Sequence, residues 1–236
     1  LSGTEVFPIV QGGTTSQVAA SAITKGIYYN NEISPNFATV GGGTGNTSSG
    51  NRSFVGGGGS NAASGAFAAI AGGQSNSTIG PGSFIGSGYD NKICGSYNYY
   101  SFIGGGYSNT AGSATPGQAH IFIGGGCCNT GTRSGAVIGG GYKNTSSGCR
   151  ATVAGGECNT ASYDHTTVSG GCKNTASVYG ATVGGGFCNS AQAPHTTVSG
   201  GFKNNSTGSY GTVAGGKCNS SGYLSFVGGG CCNSSG

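Results

Sequence analysis

The stretch CKNTASVYGATVGGGFCNSA, residues 172–191, shows a pattern that recurs along the chain: a β-branched run, glycines, a variable pair and then an Asn. The unit reads [AST]-[TF]-[VI]-[GAS]-G-G-x-x-N-[TS]-[AS] and is completed by variable residues. Successive copies of the Asn stand fifteen positions apart, except for two longer steps, of eighteen and twenty, and a last step of fourteen. The copies are Asn46, Asn61, Asn76, Asn91, Asn109, Asn129, Asn144, Asn159, Asn174, Asn189, Asn204, Asn219 and Asn233. A fixed period of this kind indicates a repeat protein.

Fifteen residues are too few for a pair of helices but suit one coil of a β-solenoid, built from a short strand and tight turns. The glycine pair is expected to supply positive φ at a corner. The Asn is expected to adopt the left-handed conformation or to bond from coil to coil in a structural ladder. We therefore predict an all-β fold: a parallel β-solenoid (β-roll) of about thirteen 15-residue coils over residues 38–236. A short extended attachment module is predicted over residues 1–37.

Composition excludes several classes of protein. The 236 residues include 54 Gly, but Gly does not recur at every third position, which excludes collagen. Only 6% of the residues are charged, which does not suit a disordered chain. The net charge of +4 comes from scattered Lys and Arg, which does not favour nucleic-acid binding. No apolar run reaches membrane-spanning length, and residues 1–30 lack the layout of a signal peptide. We expect the chain to be a piece of a longer protein without nucleic-acid or membrane partners.

The strand pattern also predicts an oligomer. Each coil buries one Val or Ile, which is little against the entropy of ordering fifteen residues. The preceding strand position faces the opposite side and is also apolar or β-branched, so both faces are expected to be covered. That position holds Phe54, Phe84, Phe102, Phe122, Phe226, Thr152, Thr167, Thr182, Thr197 and Thr212. We predict that this column meets other copies of the chain in a homotrimer.

Ten cysteines follow the repeat, and just before the Asn they alternate with Lys143, Lys173 and Lys203. Zinc sites need four converging ligands, often as C-x-x-C, and only vicinal pairs occur here. The pattern therefore favours disulfides between coils or chains, or free thiols in the turns, over a metal site. The candidates for disulfides are Cys127, Cys128, Cys158, Cys172, Cys188, Cys218, Cys231 and Cys232.

The acidic residues do not recur at a common coil position, and the Gly-Gly motifs lack the Lys-Ser/Thr ending of a phosphate loop. The sequence therefore predicts neither an enzyme nor a cofactor. Two longer coils, with extra residues at 94–100 and 112–120, are the candidate functional loops. Tyr97, Tyr99, Tyr100 and His120 are the candidate receptor-binding residues, since Tyr gives rigid amphipathic contacts. The alternative is that these loops pack on the rod or on a neighbouring chain.

The repeats resemble the head repeats of trimeric bacterial adhesins, which form a left-handed parallel β-roll. The segments SFIGGGYSN (101–109) and TTVSGGFKN (196–204) carry this resemblance, which covers residues 38–236. It implies a trimeric surface protein. The chain departs from that pattern in its Gly-Gly-x-x-Asn phrase and its many cysteines, so the handedness stays open.

The opening segment LSGTEVFPIVQGGTTSQVAASAI (1–23) resembles a module near the N-termini of phage tail fibres and other virion appendage proteins. The residues that carry this resemblance are Leu1, Gly3, Thr4, Glu5, Pro8, Val10, Gln11, Gly12 and Gly13. It implies an extracellular virion fibre for host attachment, with other tail or capsid proteins and a host-surface glycan or protein as partners. The alternatives are a trimeric adhesin head on a bacterial surface and an ice-binding solenoid that uses the Thr column at 152–212.

Overall fold

A computed structural model describes residues 6–11, 14–19, 31–33, 37–96, 98–112 and 119–236. All regular secondary structure in these ranges is β-strand. The strands stack in parallel, one repeat above the next, so the predicted fold class, a parallel β-solenoid with the period of the Asn series, is confirmed. Within the described ranges, the search for helices long and apolar enough to cross a membrane finds none.

A separate hairpin lies near the N-terminus. Strand Val6–Gln11 pairs antiparallel with strand Thr14–Ala19, with Val6 opposite Ala19 and Gln11 opposite Thr14. The sequence predicted a short extended module in this region, and its role in attachment stays a prediction. Residues 1–5, 12–13, 20–30 and 34–36 lie outside the described residues, and so do Leu1, Gly3, Thr4, Glu5, Gly12 and Gly13 of the resemblance.

Each complete coil contributes two short strands rather than the single strand that we predicted. The apolar strand belongs to a sheet that we call sheet 1, with 13 described strands. Its strands are Thr39–Val40, Phe54–Val55, Ala69–Ile70, Phe84–Ile85, Phe102–Ile103, Phe122–Ile123, Val137–Ile138, Thr152–Val153, Thr167–Val168, Thr182–Val183, Thr197–Val198, Thr212–Val213 and Phe226–Val227. In register, Thr167 pairs with Thr152 below and with Thr182 above.

The second strand follows the Asn and belongs to sheet 2, with 14 described strands. These are Glu32–Ile33, Thr47–Ser48, Ala62–Ala63, Ser77–Thr78, Lys92–Cys94, Thr110–Gly112, Thr130–Gly131, Thr145–Ser146, Thr160–Ala161, Thr175–Ala176, Ser190–Ala191, Asn205–Ser206, Ser220–Ser221 and Ser234–Ser235. Most of these pairs are small and polar, so they carry no hydrophobic strand signal. Hydrogen bonds to the coils above and below, rather than large apolar side chains, hold them in the strand conformation.

The third side of the coil is a column of single bridging residues, such as Glu157, Cys172 and Phe187. We call it the bridge column. The stack also extends below residue 38, because strand Glu32–Ile33 pairs with Thr47–Ser48. The N–H of Asn46 donates to Oδ1 of Asn31 at 2.9 Å, so Asn31 is one further member of the Asn series. The sequence pattern missed it because no glycine pair precedes it.

The core is about one large side chain wide. A typical coil buries Val153 from sheet 1, Ala161 from sheet 2, Ala151 just before the first strand, and Asn159, all at 0% exposure. The first residue of each two-residue strand points outward, as the period of two requires. A polar amide therefore occupies a quarter of this small interior, and it is tolerated there only if its hydrogen bonds are made.

The repeated Asn residues form a ladder in which each residue links three coils, through its backbone N–H to the coil below and through its side chain to its own coil and the coil above. The N–H of Asn174 donates to Oδ1 of Asn159 below at 2.9 Å. Its Nδ2 donates to the carbonyl of Gly170 in the same coil at 2.9 Å and to that of Gly186 above at 2.9 Å. Its Oδ1 accepts from the N–H of Asn189 at 2.9 Å. Every polar group of this buried side chain is thus satisfied.

The glycine before the bridge column makes room for this ladder. Gly171 has a φ of +82°, and a Cβ there would lie 2.7 Å from Nδ2 of Asn174 and collide with the carbonyl of Gly186. The predicted positive φ in the glycine pair is therefore present. The predicted left-handed Asn is wrong: the residue before it, here Lys173, has the φ of +57°. The residue before the Asn therefore adopts the left-handed conformation at the turn, and the side-chain amide of the Asn points into the core.

Replacing a ladder Asn should destabilise the solenoid strongly. Asn174→Ala removes the partners of the Asn189 N–H and the Gly170 carbonyl, while the Gly186 carbonyl keeps the N–H of Cys172. At about 1–3 kcal/mol for each orphaned buried group, we expect a loss of about 2–6 kcal/mol in the free energy of unfolding. Urea titration followed by circular dichroism measures this loss. The control, Asn51→Ala at an exposed position, should change stability by less than about 0.5 kcal/mol, and equal losses in the two variants would contradict the ladder's role.

Candidate functional site

The first long coil presents a cluster of aromatic rings on the corner between sheet 2 and sheet 1. Tyr100 is 68% exposed and has a φ of +53°, and its N–H donates to the carbonyl of Pro81 at 3.0 Å. Its ring centroid lies 6.4 Å from that of Tyr99 and 6.0 Å from that of His120. Tyr97, the fourth candidate receptor-binding residue, lies outside the described residues. The structure therefore brings together three of the four candidates.

A groove of about 660 Å³ lies against these rings. It is lined by Ala66, Phe67, Pro81, Gly82, Tyr99 and Tyr100, and we call it the aromatic groove. Gly82 has a φ of +65°, and a Cβ there would lie 2.7 Å from the Tyr100 ring, so the glycine lets the ring lie flat on the corner. Without charged lining residues, the groove offers ring faces and phenol hydroxyls. These suit the apolar face of a neutral sugar or a hydrophobic side chain.

Sequence reasoning missed Phe67 and Pro81, because they belong to the preceding coils. The repeat period could have indicated them. Phe67 lies one period before Gly82, and Gly82 lies one long coil before Tyr100. All three occupy the same position of the coil, with a positive φ. The other long coil returns to the core at Ala119 and Ile121, which are both 1% exposed. Residues 113–118 of that loop lie outside the described residues.

The cysteines lie mainly in two neighbouring columns of the solenoid. Cys127, Cys172 and Cys231 stand in the bridge column. The residues before the Asn, which we call the corner column, include Cys128, Cys158, Cys188, Cys218 and Cys232. Within the chain the ten cysteines form no disulfide, and disulfides between chains stay a prediction. The sulfur atoms of the vicinal pairs lie 2.9 Å apart at Cys127 and Cys128, and 3.2 Å apart at Cys231 and Cys232.

Burial and neighbouring groups raise the pKa of some of the thiols in these two columns. Burial, and then the negative charge of Glu157, raise the pKa of Cys172. The hydrogen bond with the Cys128 thiol is the main cause that raises the pKa of Cys127. Raised pKa values keep these thiols protonated and weakly nucleophilic. In the described ranges, no group of three or more His, Cys, Asp or Glu side chains converges as metal ligands do.

The described acidic side chains that make polar contacts are engaged locally and in different coils. Oδ1 of Asp90 lies 2.8 Å from Nζ of Lys92, and this pairing lowers the pKa of the Asp90 carboxyl. Oδ1 of Asp164 accepts the N–H of Cys149 at 2.9 Å. The adjacent His165 packs edge-on against Tyr179, with ring centroids 5.4 Å apart. The contacts of Asp164 and His165 join neighbouring coils.

Comparison with protein-family models and with curated proteins finds no match for the chain.

The raised pKa of Cys172 predicts slow alkylation in the folded protein. A higher pKa leaves less thiolate at a given pH, so the rate should rise at a higher pH than it does for an ordinary thiol of pKa about 8.5. Iodoacetamide labelling between about pH 8 and pH 10, followed by peptide mass spectrometry, measures this, with the same peptide in urea as control. Glu157→Gln should shift the profile towards lower pH. Equal profiles for the folded and unfolded chain would contradict the assignment.

Proposed function

We propose that this chain is a segment of a homotrimeric fibre, part of a virion appendage that attaches to a host. The observation that carries the proposal is the outward column of sheet 1, which displays large apolar side chains on a rod whose core is thin. The phage-type N-terminal phrase and the adhesin-like repeats support the same class of protein. Regular parallel sheets along the whole stack give the stiffness that a fibre needs.

Three successive phenylalanines of this column form a continuous apolar strip. Phe84, Phe102 and Phe122 are aligned in register. Their ring centroids are 5.6 Å and 5.2 Å apart along the strip. Phe84 and Phe122 remain 37% and 43% exposed. Contiguous exposed apolar surface of this kind is typical of protein interfaces, and we assign the strip to the contact with the other two chains.

We propose that the fibre attaches to the host through several copies of the same weak binding site. A trimer carries three copies of the aromatic groove on one stiff body, so weak contacts with a host-surface glycan or protein add up as avidity. The module at residues 1–37 would join the fibre to other tail or capsid proteins. The rod acts as a spacer, and its chemistry is binding rather than catalysis.

Light scattering tests the trimer. We expect three times the single-chain mass of 22.7 kDa at micromolar concentration. Phe102→Ser with Phe122→Ser should reduce the mass to that of a monomer, because the strip is interrupted at its centre. The matched control is Phe187→Ser with Phe202→Ser, which removes two stacked rings from the bridge column and should leave the trimer intact. A monomeric parent chain would contradict the proposal.

A printed array of neutral bacterial surface oligosaccharides tests the groove. The parent protein should bind at least one class of glycan, and Tyr100→Ala should lower that binding by about tenfold or more, since stacking is lost from the groove. Tyr163→Ala, at an exposed ring outside the groove, is the control and should bind as the parent does. Absence of binding, or equal binding by the Tyr100 variant, would contradict the role of the groove.

Ice binding is the second candidate function, and one observation favours it. Thr152, Thr167, Thr182, Thr197 and Thr212 stand in register on the outer face of sheet 1, all half-buried. The array ends after five coils, at Val137 on one side and Phe226 on the other, and the same column goes on to Phe122, so we place this candidate second. A thermal-hysteresis assay of the purified chain separates the two: activity that is lost in Thr182→Tyr would support ice binding, and no activity would exclude it.

A further inference from the structure

The corner column carries a regular row of positive charges. Lys143, Lys173 and Lys203 occupy every second coil, and half-buried cysteines stand between them. At about 4.8 Å per coil, neighbouring lysines are about 9.6 Å apart along the rod. This spacing avoids the repulsion of like charges in adjacent coils, and it also sets a fixed interval between positive charges on an exposed edge.

The part of this edge between Cys127 and Cys232 carries a net positive charge. Lys217 in the bridge column adds a fourth cation. Between Cys127 and Cys232 the one acid in the two columns is Glu157, so this part of the edge carries 4 − 1 = +3, while Asp90 stands lower in the corner column. Across the described ranges, the ion pair within 4 Å is Asp90 with Lys92, which lies below Cys127 on the rod. The four ammonium groups therefore lack carboxylate partners in that part of the chain. Their field is directed at solvent, where it attracts an anionic ligand.

Exposed rings line the same edge. Nζ of Lys143 lies 4.9 Å from the Tyr142 ring centroid, and Nζ of Lys203 lies 5.2 Å from that of Phe202. Nζ of Lys173 lies 5.9 Å from the ring of Phe187, which stacks on Phe202 with centroids 5.6 Å apart. The rings hold the ammonium groups close to the surface by cation–π attraction. Phe187 thus places apolar ring surface in the coil between Lys173 and Lys203, whereas Glu157 and Cys158 stand in the coil between Lys143 and Lys173.

We infer that this edge binds a linear acidic polysaccharide that carries one carboxylate in each disaccharide. The interval between lysines is about the length of a disaccharide in an extended chain, so successive carboxylates can meet successive ammonium groups. The sugar units between them can pack their C–H faces on the rings. This inference rests on the proposed attachment function, and it names the class of ligand.

Charge density argues against nucleic acid as the ligand. A DNA strand carries one phosphate per 3.4 Å of helix axis, which is far denser than one lysine per about 9.6 Å. Most phosphates of a bound DNA strand would therefore have no lysine opposite them on the protein surface. A sparsely charged sugar polymer fits both the interval and the ring surface between the charges.

The experiment measures binding of the whole chain to hyaluronate oligosaccharides, which have one carboxylate per disaccharide, by calorimetry. Dextran of matched length is the neutral probe and single-stranded DNA is the densely charged one. We expect binding to hyaluronate, none to dextran, and a loss of affinity as NaCl rises from about 0.05 M to about 0.5 M. The triple variant K143A/K173A/K203A should bind hyaluronate at least about tenfold more weakly.

The matched control is R52A/R133A/R150A, which removes the same charge from exposed positions outside this edge and should keep the parent's affinity. Circular dichroism confirms that both variants are folded. Equal loss in the two variants, no binding of hyaluronate, or tighter binding of DNA than of hyaluronate would overturn the inference. Light scattering on the same samples distinguishes the two proposals. A trimer that does not bind hyaluronate overturns only this inference, whereas a monomer overturns the proposed fibre.

Discussion

The solenoid depends on one buried hydrogen-bonding side chain per coil. Each ladder Asn satisfies a carbonyl in its own coil, a carbonyl in the next coil and the N–H of the next Asn. A coil this small, with two very short strands, has few other ways to fix its register. A slip by one residue would break the whole set of bonds at once. It would be strongly unfavourable, because each buried amide left without a hydrogen bond destabilises the fold. The ladder therefore specifies the stacking as well as stabilising it.

The ladder also explains the glycine that recurs in every coil and the outward position of the large apolar side chains. The glycine before the bridge column must allow both a positive φ and close approach of the next coil, so larger residues are excluded at that point. Since the interior holds only one Val or Ile, small residues and the Asn, large apolar side chains have to lie outside. The outer columns thus become surfaces with separate chemistry: a Phe and Thr strip on sheet 1, a Lys, Cys and aromatic edge, and an aromatic groove on the third corner.

The period and the alternation of apolar and outward residues were enough to predict the solenoid, its sheet 1 strands and the positive φ of glycines such as Gly171. The second strand was not predictable from hydrophobicity, because pairs such as Thr175–Ala176 are small and polar and owe their conformation to bonds between coils. The left-handed residue was assigned to the Asn from its intrinsic preference, whereas burial of its amide moves that conformation to Lys173. For the groove, the sequence indicated Tyr99 and Tyr100, but Phe67 and Pro81 join them only through the stacking of three coils.

Hydrogen exchange of the protein labelled with ¹⁵N at asparagine measures the ladder directly. The account predicts that the backbone and side-chain amides of Asn144, Asn159, Asn174 and Asn189 exchange slowest, close to the rate of global unfolding, while those of the exposed Asn51 exchange at once. Fast exchange of the ladder amides, at rates like that of Asn51, would show that these side chains are open to water and would contradict the account.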